Sequence, residues 1–288
     1  MNEYAIISDS CCDLPFDLAQ KMEIRDVPMN ISINNTSYQD WLDRREMKPS
    51  EFFKLLRNGI VGKTAAANVG DIINIMSQEA EKGNDILYIS FSSGMSSSYQ
   101  AAMLAKNIVS EDYPNIRIEV FDTKSGSVGQ ACLLYCICKQ RKEGKTMDEL
   151  ISWLNNNWIN ARHYFMVDNL EHLKNTGRIS SLSGFVGGAL GIRQILGLDM
   201  SGKIKSFEKV RGRKAAIREL AEKVISECTN KMAIFIVHSD CQEDAINLKS
   251  LIQEKIKDAN IFIGNVGFII GNNVGPDALA VGFLGNGR

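Results

Sequence analysis

The chain has 288 residues, 44% of them hydrophobic and 23% charged, a composition that excludes collagen, coiled-coil and disordered classes. At roughly 150 residues per domain, this length predicts two domains or one large one, with ample core. With 33 Lys and Arg against 34 Asp and Glu, the net charge of -1 supplies no overall attraction for nucleic acid or an anionic membrane, which leaves a near-neutral enzyme or small-ligand binder.

Short apolar runs rich in β-branched and aromatic residues alternate with longer amphipathic stretches, the rhythm of an α/β protein. Strands are predicted over 4–8 and 27–33, then helices over 50–57 and 71–82, the second opened by Asp71. A strand over 86–91, a helix over 97–109, a strand over 116–121 and helices over 129–143 and 147–158 complete a series that looks doubly wound. Thr146 with Glu149 three residues on reads as a capping box. Beyond the Asn155-Asn156-Asn157 run the spacing widens, with strands at 164–167, 204–210, 232–238, 261–270 and 279–284 and helices at 213–227 and 242–256. We therefore expect an N-terminal domain over 1–159 with a doubly wound, mostly parallel sheet, and a C-terminal α/β domain over 160–288. The Gly- and Ser-rich stretch 177–202 shows no β pattern and is expected to form short, closely packed helices.

The seven Cys are odd in number, and Cys132, Cys136 and Cys138 sit in an apolar run at neither metal nor disulfide spacing. They read as small buried hydrophobes of a reducing cytosol. No secretory leader can be drawn through Glu3 and the short run Tyr4-Ala5-Ile6-Ile7 before Ser8 and Asp9. No run of about 18 apolar residues predicts a membrane span.

Gly62-Lys63-Thr64 and Gly144-Lys145-Thr146 imitate the tail of a phosphate-binding loop, but Arg57 and Lys139 stand where its first Gly belongs. The run 184–191 lacks the G-x-G-x-x-G spacing of a dinucleotide site, so tight helix packing explains its glycines better. The segment Ser90-Phe91-Ser92-Ser93-Gly94-Met95-Ser96-Ser97-Ser98 is more informative. An apolar strand runs into hydroxyls and one Gly before a helix starts, an arrangement that turns backbone N–H groups and Ser side chains toward an anion. The same serines also serve as helix caps. G-x-S-x-G is absent, which favours serine as donor over serine as nucleophile.

Asp9 and Asp122, at the ends of two strands, would face the same crevice or simply form turns. His163, His172 and His238 share no metal spacing, and His238 reads as a satisfied core or rim residue. The basic stretch Lys203, Lys205, Lys209, Arg211, Arg213, Lys214 and Arg218 reads as a solvated face, with a docking surface for an acidic protein as the sharper alternative.

Taken in order, several segments resemble the DegV family of bacterial fatty-acid-binding proteins. They are Ser8-Asp9-Ser10 with Asp13-Leu14-Pro15, Val27-Pro28, Tyr38 with Asp40, Thr64, the Ser92–Gln100 loop and Phe121-Asp122-Thr123, then Asp168-Asn169-Leu170, Gly177-Arg178-Ile179-Ser180, Lys209-Val210-Arg211-Gly212 and Gly275-Pro276. The resemblance implies a cytoplasmic lipid-binding protein of phospholipid precursor metabolism, without cofactor, metal or catalytic residue. Palmitate or a similar long-chain fatty acid would lie in an apolar tunnel between two domains, and its carboxylate would be presented to a fatty-acid kinase. It points to Thr64, and to Ser96 with Ser92 or Ser93, as carboxylate donors, and leaves Arg178, Arg193 and Arg211 as partner-facing candidates.

The chain departs from the family pattern. Thr-Ser-Gln-Pro reads Thr64-Ala65-Ala66-Ala67, Leu-Ser-Gly-Thr reads Met95-Ser96-Ser97-Ser98, Ile-Lys-Pro reads Ile192-Arg193-Gln194, and Asn273 replaces a His beside the head group. Asn273 is expected to donate through its amide and to carry no charge, so affinity should vary little between about pH 5 and 8. The rival readings are a serine-dependent acyl hydrolase or transferase using Ser96, and a binder of another carboxylate or of a phosphate ligand with Asp9 or Asp122 on Mg²⁺.

Overall fold

Pro28 divides the apolar segment expected as one strand over 27–33, because a residue without an N–H cannot sustain a central ladder. In the computed structural model, which describes residues 3–179 and 191–288, the segment before it joins one sheet and the segment after it another. The first half runs β1 (Tyr4–Asp9), α1 (Phe16–Lys21), β2 (Ile24–Val27), β3 (Met29–Ile33), β4 (Thr36–Asp40), α2 (Pro49–Arg57), β5 (Lys63–Thr64), α3 (Val69–Ala80), β6 (Asp85–Ser90), α4 (Ser98–Asp112), β7 (Ile118–Asp122), α5 (Ser127–Lys142) and α6 (Met147–Asn157). The second runs β8 (Ala161–Met166), α7 (Glu171–Asn175), β9 (Ile192–Leu198), β10 (Ile204–Arg211), α8 (Arg213–Glu227), β11 (Ile234–His238), α9 (Gln242–Lys255), β12 (Ile261–Asn265), α10 (Phe268–Val274) and β13 (Leu279–Leu284).

The fold is mixed α/β with two domains. One sheet has the order β2-β1-β6-β7 with every neighbour parallel. Its buried faces explain the continuous apolar runs of β1 and β6. A small antiparallel sheet, β4-β3-β5, sits beside it. The six-stranded sheet β10-β9-β8-β13-β11-β12 is antiparallel except for the β11–β12 pair.

Alternate residues of the six-stranded sheet feed two cores. Phe165, Leu196, Phe235 and Val237 face the first half of the chain, whereas Tyr164, Ile195, Ile234 and Ile236 pack under α8 and α9. Helix α5 lies between the halves and packs on β8, β11 and β13, which is why it is buried from Ser127 through Cys138. A helix apolar all round is a buried helix. Cys132, Cys136 and Cys138 are accordingly small core side chains, and all seven thiols are free.

Three further expectations are corrected. The 177–202 stretch holds a strand, β9, rather than only helices; Gly197 hides it, because the His163 carbonyl and the Phe207 ring approach within 2.7 and 2.8 Å of where a Cβ would stand. The rest of the helical expectation there, including the 184–190 glycine run, lies outside the described residues. The strand expected over 261–270 ends at Asn265, and α10 follows with Gly267 at its cap. Helix α3 is capped by Asn68, whose side chain accepts from the N–H groups of Gly70 and Asp71, so Asp71 lies inside the first turn. The capping box of Thr146 and Glu149 forms as expected.

Candidate functional site

Strand addition reverses between β1 and β6, and at such a switch point the loops beyond the carboxyl ends of parallel strands leave a crevice for ligands. Here a cavity of about 480 Å³ separates the loops after β6 and β7 from the inner face of the six-stranded sheet. Phe91, Phe165, Leu198, Val237 and Ile269 are among its apolar walls. Thr64, Ser93, Ser96, Ser97 and Ser127 bring hydroxyls to the same space.

Hydrogen bonds tie these hydroxyl loops together. Ser96 Oγ lies 2.9 Å from Ser98 Oγ and accepts from the Ser98 N–H, while Ser98 Oγ accepts from the Ala67 N–H at 3.2 Å, joining the Thr64 segment to the start of α4. On the other flank, Asn272 clasps Gly62 reciprocally: its Oδ1 accepts from the Gly62 N–H at 2.7 Å and its Nδ2 donates to the Gly62 carbonyl at 2.9 Å. That clasp holds α10, and with it Asn273, beside β5. The first turns of α4 and α5 border the cavity through Ser97 and Ser127, so two positive helix-dipole ends converge where an anion would sit.

The named candidates separate in the structure. Thr64, Ser93, Ser96 and Asn273 line the cavity, but Ser92 does not. Ser92 is buried, donating to the Gly202 carbonyl at 2.9 Å and accepting from the Gly94 N–H at 3.1 Å, so it braces the loop. Asn273 Nδ2 donates to the Ile269 carbonyl at 2.7 Å and its Oδ1 is buried without a partner. Donation to a ligand would fall to its second amide hydrogen.

Of the three arginines named as partner-facing, Arg178 instead lines the cavity, its guanidinium bonded to the Thr176 carbonyl. Among the described lining residues it is the one with a fixed positive charge. Arg193 pairs with Asp168 at 2.6 Å, and Arg211 is exposed on β10, an edge strand. In the basic stretch, Arg213 pairs with Asp244 at 2.6 Å and Lys205 lies over the Phe207 ring.

Burial decides the charge of several neighbours. His163 lines the cavity with its Nδ1 unpartnered; desolvation, aided by Arg288, lowers its pKa to about 3 and keeps it neutral. His238 Nδ1 also lacks a partner, contrary to the satisfied histidine expected, and burial lowers its pKa. Burial raises Asp9 to about 6 despite hydrogen bonds from the Phe91 N–H and Gln130. Asp122 is pushed up by partial burial but brought below the ordinary carboxylate range by hydrogen bonds from Lys124 and Ser93. With their oxygens so engaged, neither Asp9 nor Asp122 is presented as a Mg²⁺ ligand. Among the described residues no three His, Cys, Asp or Glu side chains gather to hold a metal ion, and no helix is long and apolar enough to cross a membrane.

Residues 3–286 match the model of the DegV family (uncharacterised protein, DegV family). The chain belongs to the DegV family. It is 36% identical over 290 residues to a DegV domain-containing protein of Clostridium perfringens, covering 99% of each chain. A DegV lipid binding protein of Thermotoga maritima superimposes with a TM-score of 0.83 at 26% identity, covering 99% of each chain. A DegV family protein of Ruminococcus gnavus, whose structure contains vaccenic acid, gives 0.87 at 26% identity, covering 97% of this chain and 99% of that one. The DegV neighbours thus include lipid and fatty-acid binders.

Within the DegV cavity several wall residues carried no local signal in the sequence. His163 and Phe165 lie on a strand whose neighbours Tyr164 and Met166 face the opposite core. Period-two alternation flags such a pair only once the sheet's inner face is known. Ser127 sits at φ 48° at the start of α5 with its hydroxyl on Asp13, and a serine in left-handed backbone has no sequence signature.

Proposed function

We propose that this DegV protein binds a long-chain fatty acid in the cavity, with the carboxylate at Thr64, Ser93 and Ser96, and presents it to a partner fatty-acid kinase. The observation that carries the reading is a hydroxyl cluster and two helix N-termini opening into a cavity whose remaining walls are mostly apolar. A buried carboxylate is costly unless several donors meet it. Its volume of about 480 Å³ suits a small-molecule site. Each methylene removed from water contributes about 0.8 kcal/mol, so a chain of about 14 methylenes offers roughly 11 kcal/mol against the costs of ordering. The kinase step is supported by the family resemblance, and a cytosolic address by the abundance of free thiols.

Chemistry by the protein itself is the weaker reading, because the Ser96 hydroxyl is engaged by Ser98 rather than by a base. Native mass spectrometry of the purified chain, before and after addition of palmitate, tests the carrier reading. A co-purified or added fatty acid retained at one copy per chain supports it; a chain that stays free of lipid overturns it. Transfer of phosphate from ATP to the bound lipid only when a fatty-acid kinase is added tests the second half.

A further inference from the structure

The loop between β7 and α5 places a cation against the cavity's hydroxyl rim. Lys124 Nζ donates to Ser93 Oγ at 2.6 Å and pairs with Asp122 Oδ2 at 2.8 Å. The other oxygen of Asp122 accepts from the Ser93 N–H at 3.2 Å and from the Lys124 N–H at 3.0 Å. One carboxylate thus holds both the ammonium and the backbone of the serine it touches. Lys124 adopts φ 48°, a left-handed conformation disfavoured for a lysine and retained here by these bonds.

This geometry leaves the Ser93 hydroxyl hydrogen two acceptors, the Asp122 carboxylate that it already reaches and a ligand atom in the cavity that Ser93 borders. A serine oxygen that accepts from an ammonium must send its own hydrogen elsewhere, and Ser93 borders the cavity. The adjacent ammonium also strengthens that O–H as a donor by polarising it. A ligand atom that takes up the Ser93 hydrogen would therefore meet a donor polarised by the ammonium end of the Lys124–Asp122 pair, which suits a carboxylate more than a neutral hydroxyl. We propose that Lys124 is a positioning residue which, acting through Ser93, makes the site prefer an ionised head group over a neutral one of the same chain length. The inference rests on the fatty-acid reading above and names a determinant of its head-group selectivity.

The test compares the affinities of palmitate and of hexadecanol for the full chain, Lys124→Met, Lys124→Arg, Ser93→Ala and the Ser93→Ala/Lys124→Met double variant. Palmitate binding should weaken roughly tenfold in Lys124→Met, the scale of a lost charge-assisted hydrogen bond, with hexadecanol nearly unchanged. Lys124→Arg should recover most of the preference, and the double variant should lose little more than Ser93→Ala alone, because the two act as one unit. Equal weakening of both ligands, fully additive losses, or unchanged palmitate binding in Lys124→Met overturns the proposal. Should Lys124→Met not fold, Ser93→Ala decides it, since retention of the full palmitate preference there contradicts a role through Ser93. A wild-type chain that binds palmitate and hexadecanol equally overturns this inference alone, whereas one that binds neither overturns the fatty-acid reading with it.

Discussion

Asp13 Oδ1 accepts a hydrogen bond from the Gly267 N–H at 2.8 Å, joining the turn after β1 to the start of α10 across 254 positions of sequence. Asp40 Oδ2 accepts from the Ile269 N–H of the same turn at 3.1 Å, and Arg44 spans both carboxylates at 3.3 and 2.5 Å. A helix of seven residues that carries Ile269, Ile270 and Asn273 to the cavity is thus held at its N-terminus by the other half of the chain. Unpaired amides there would be costly to bury.

This contact gives a pH dependence with a definite sign. Burial outweighs Arg44 and the hydrogen bonds and raises Asp13 to about 7, and Asp9 behaves likewise, to about 6. A carboxyl whose folded pKa exceeds the unfolded value of about 3.9 binds its proton more tightly when folded, so its contribution is fully present below about pH 4 and is lost as pH rises through the folded value. Between about pH 4 and about 7, stability should therefore carry a falling component from Asp13. Asp13→Asn keeps an acceptor for Gly267 and removes the titration. Urea midpoints measured across that range should slope less in the variant than in the wild type; parallel slopes would contradict the assignment.

A second contact between the halves rests on glycines. A Cβ on Gly94 would stand 2.3 Å from the Ser201 carbonyl oxygen, a backbone atom that cannot swing aside, and one on Gly202, at φ 74°, would stand 2.1 Å from Ser92 Oγ. Gly94→Ala should lower stability by about 1–3 kcal/mol, the scale of overpacking, and should weaken fatty-acid binding because the Ser93 and Ser96 loop must move. Thermal melting and lipid titration of the one variant check both halves of this statement. Gly144→Ala meets nothing within 4 Å and differs only by its φ of 85°, so it should cost stability without touching affinity.

The parallel sheet was legible because its central strands β1 and β6 are buried on both faces and read as unbroken apolar runs, as in Ile86-Leu87-Tyr88-Ile89. The hydroxyl loop was legible because its residues are contiguous in sequence and abut a helix start. Partners brought in by tertiary contact were not. Lys124 lies 31 positions from Ser93, and nothing in Thr123-Lys124-Ser125 distinguishes that lysine from a solvated one. Strand β9 was missed since Gly197 breaks a pattern that only the Phe207 ring across the sheet explains. The place of Arg178 on the cavity wall was hidden for a similar reason, because where an arginine points depends on packing that spacing does not encode.

Thiol chemistry should separate core from rim. Burial pushes Cys136 and Cys138 up to about 12 and Cys241 to about 11, and raises Cys11 and Cys132 strongly as well. The thiolate is the reactive form, so the buried Cys11, Cys132, Cys136 and Cys138 should be inert in the folded chain. Ellman's reagent at neutral pH should find only slow reaction at the partly exposed Cys228 and Cys241, and all seven thiols once guanidinium is added. Fast reaction at Cys132 or Cys138 in the native state would mean that α5 is not enclosed between the two halves.

The hydroxyls of the rim should divide into those that meet the ligand and those that hold the loop. Ser93 and Thr64 border the cavity, and Ser93→Ala and Thr64→Val should each weaken fatty-acid binding by about 1–3 kcal/mol with little change in melting temperature, the cost of leaving a buried carboxylate one donor short. Ser92 has both its donor and an acceptor site committed to Gly202 and Gly94. Ser92→Ala should therefore lower the melting temperature and affect affinity only through the loop. Ser96 belongs to both groups, since its oxygen lines the cavity and also accepts from the Ser98 amide at the start of α4; Ser96→Ala should lower both quantities. Calorimetric titration with palmitate beside thermal melting of the four variants resolves them, and an affinity loss in Ser92→Ala as large as in Ser93→Ala, at equal stability, would place the carboxylate on the wrong side of the loop.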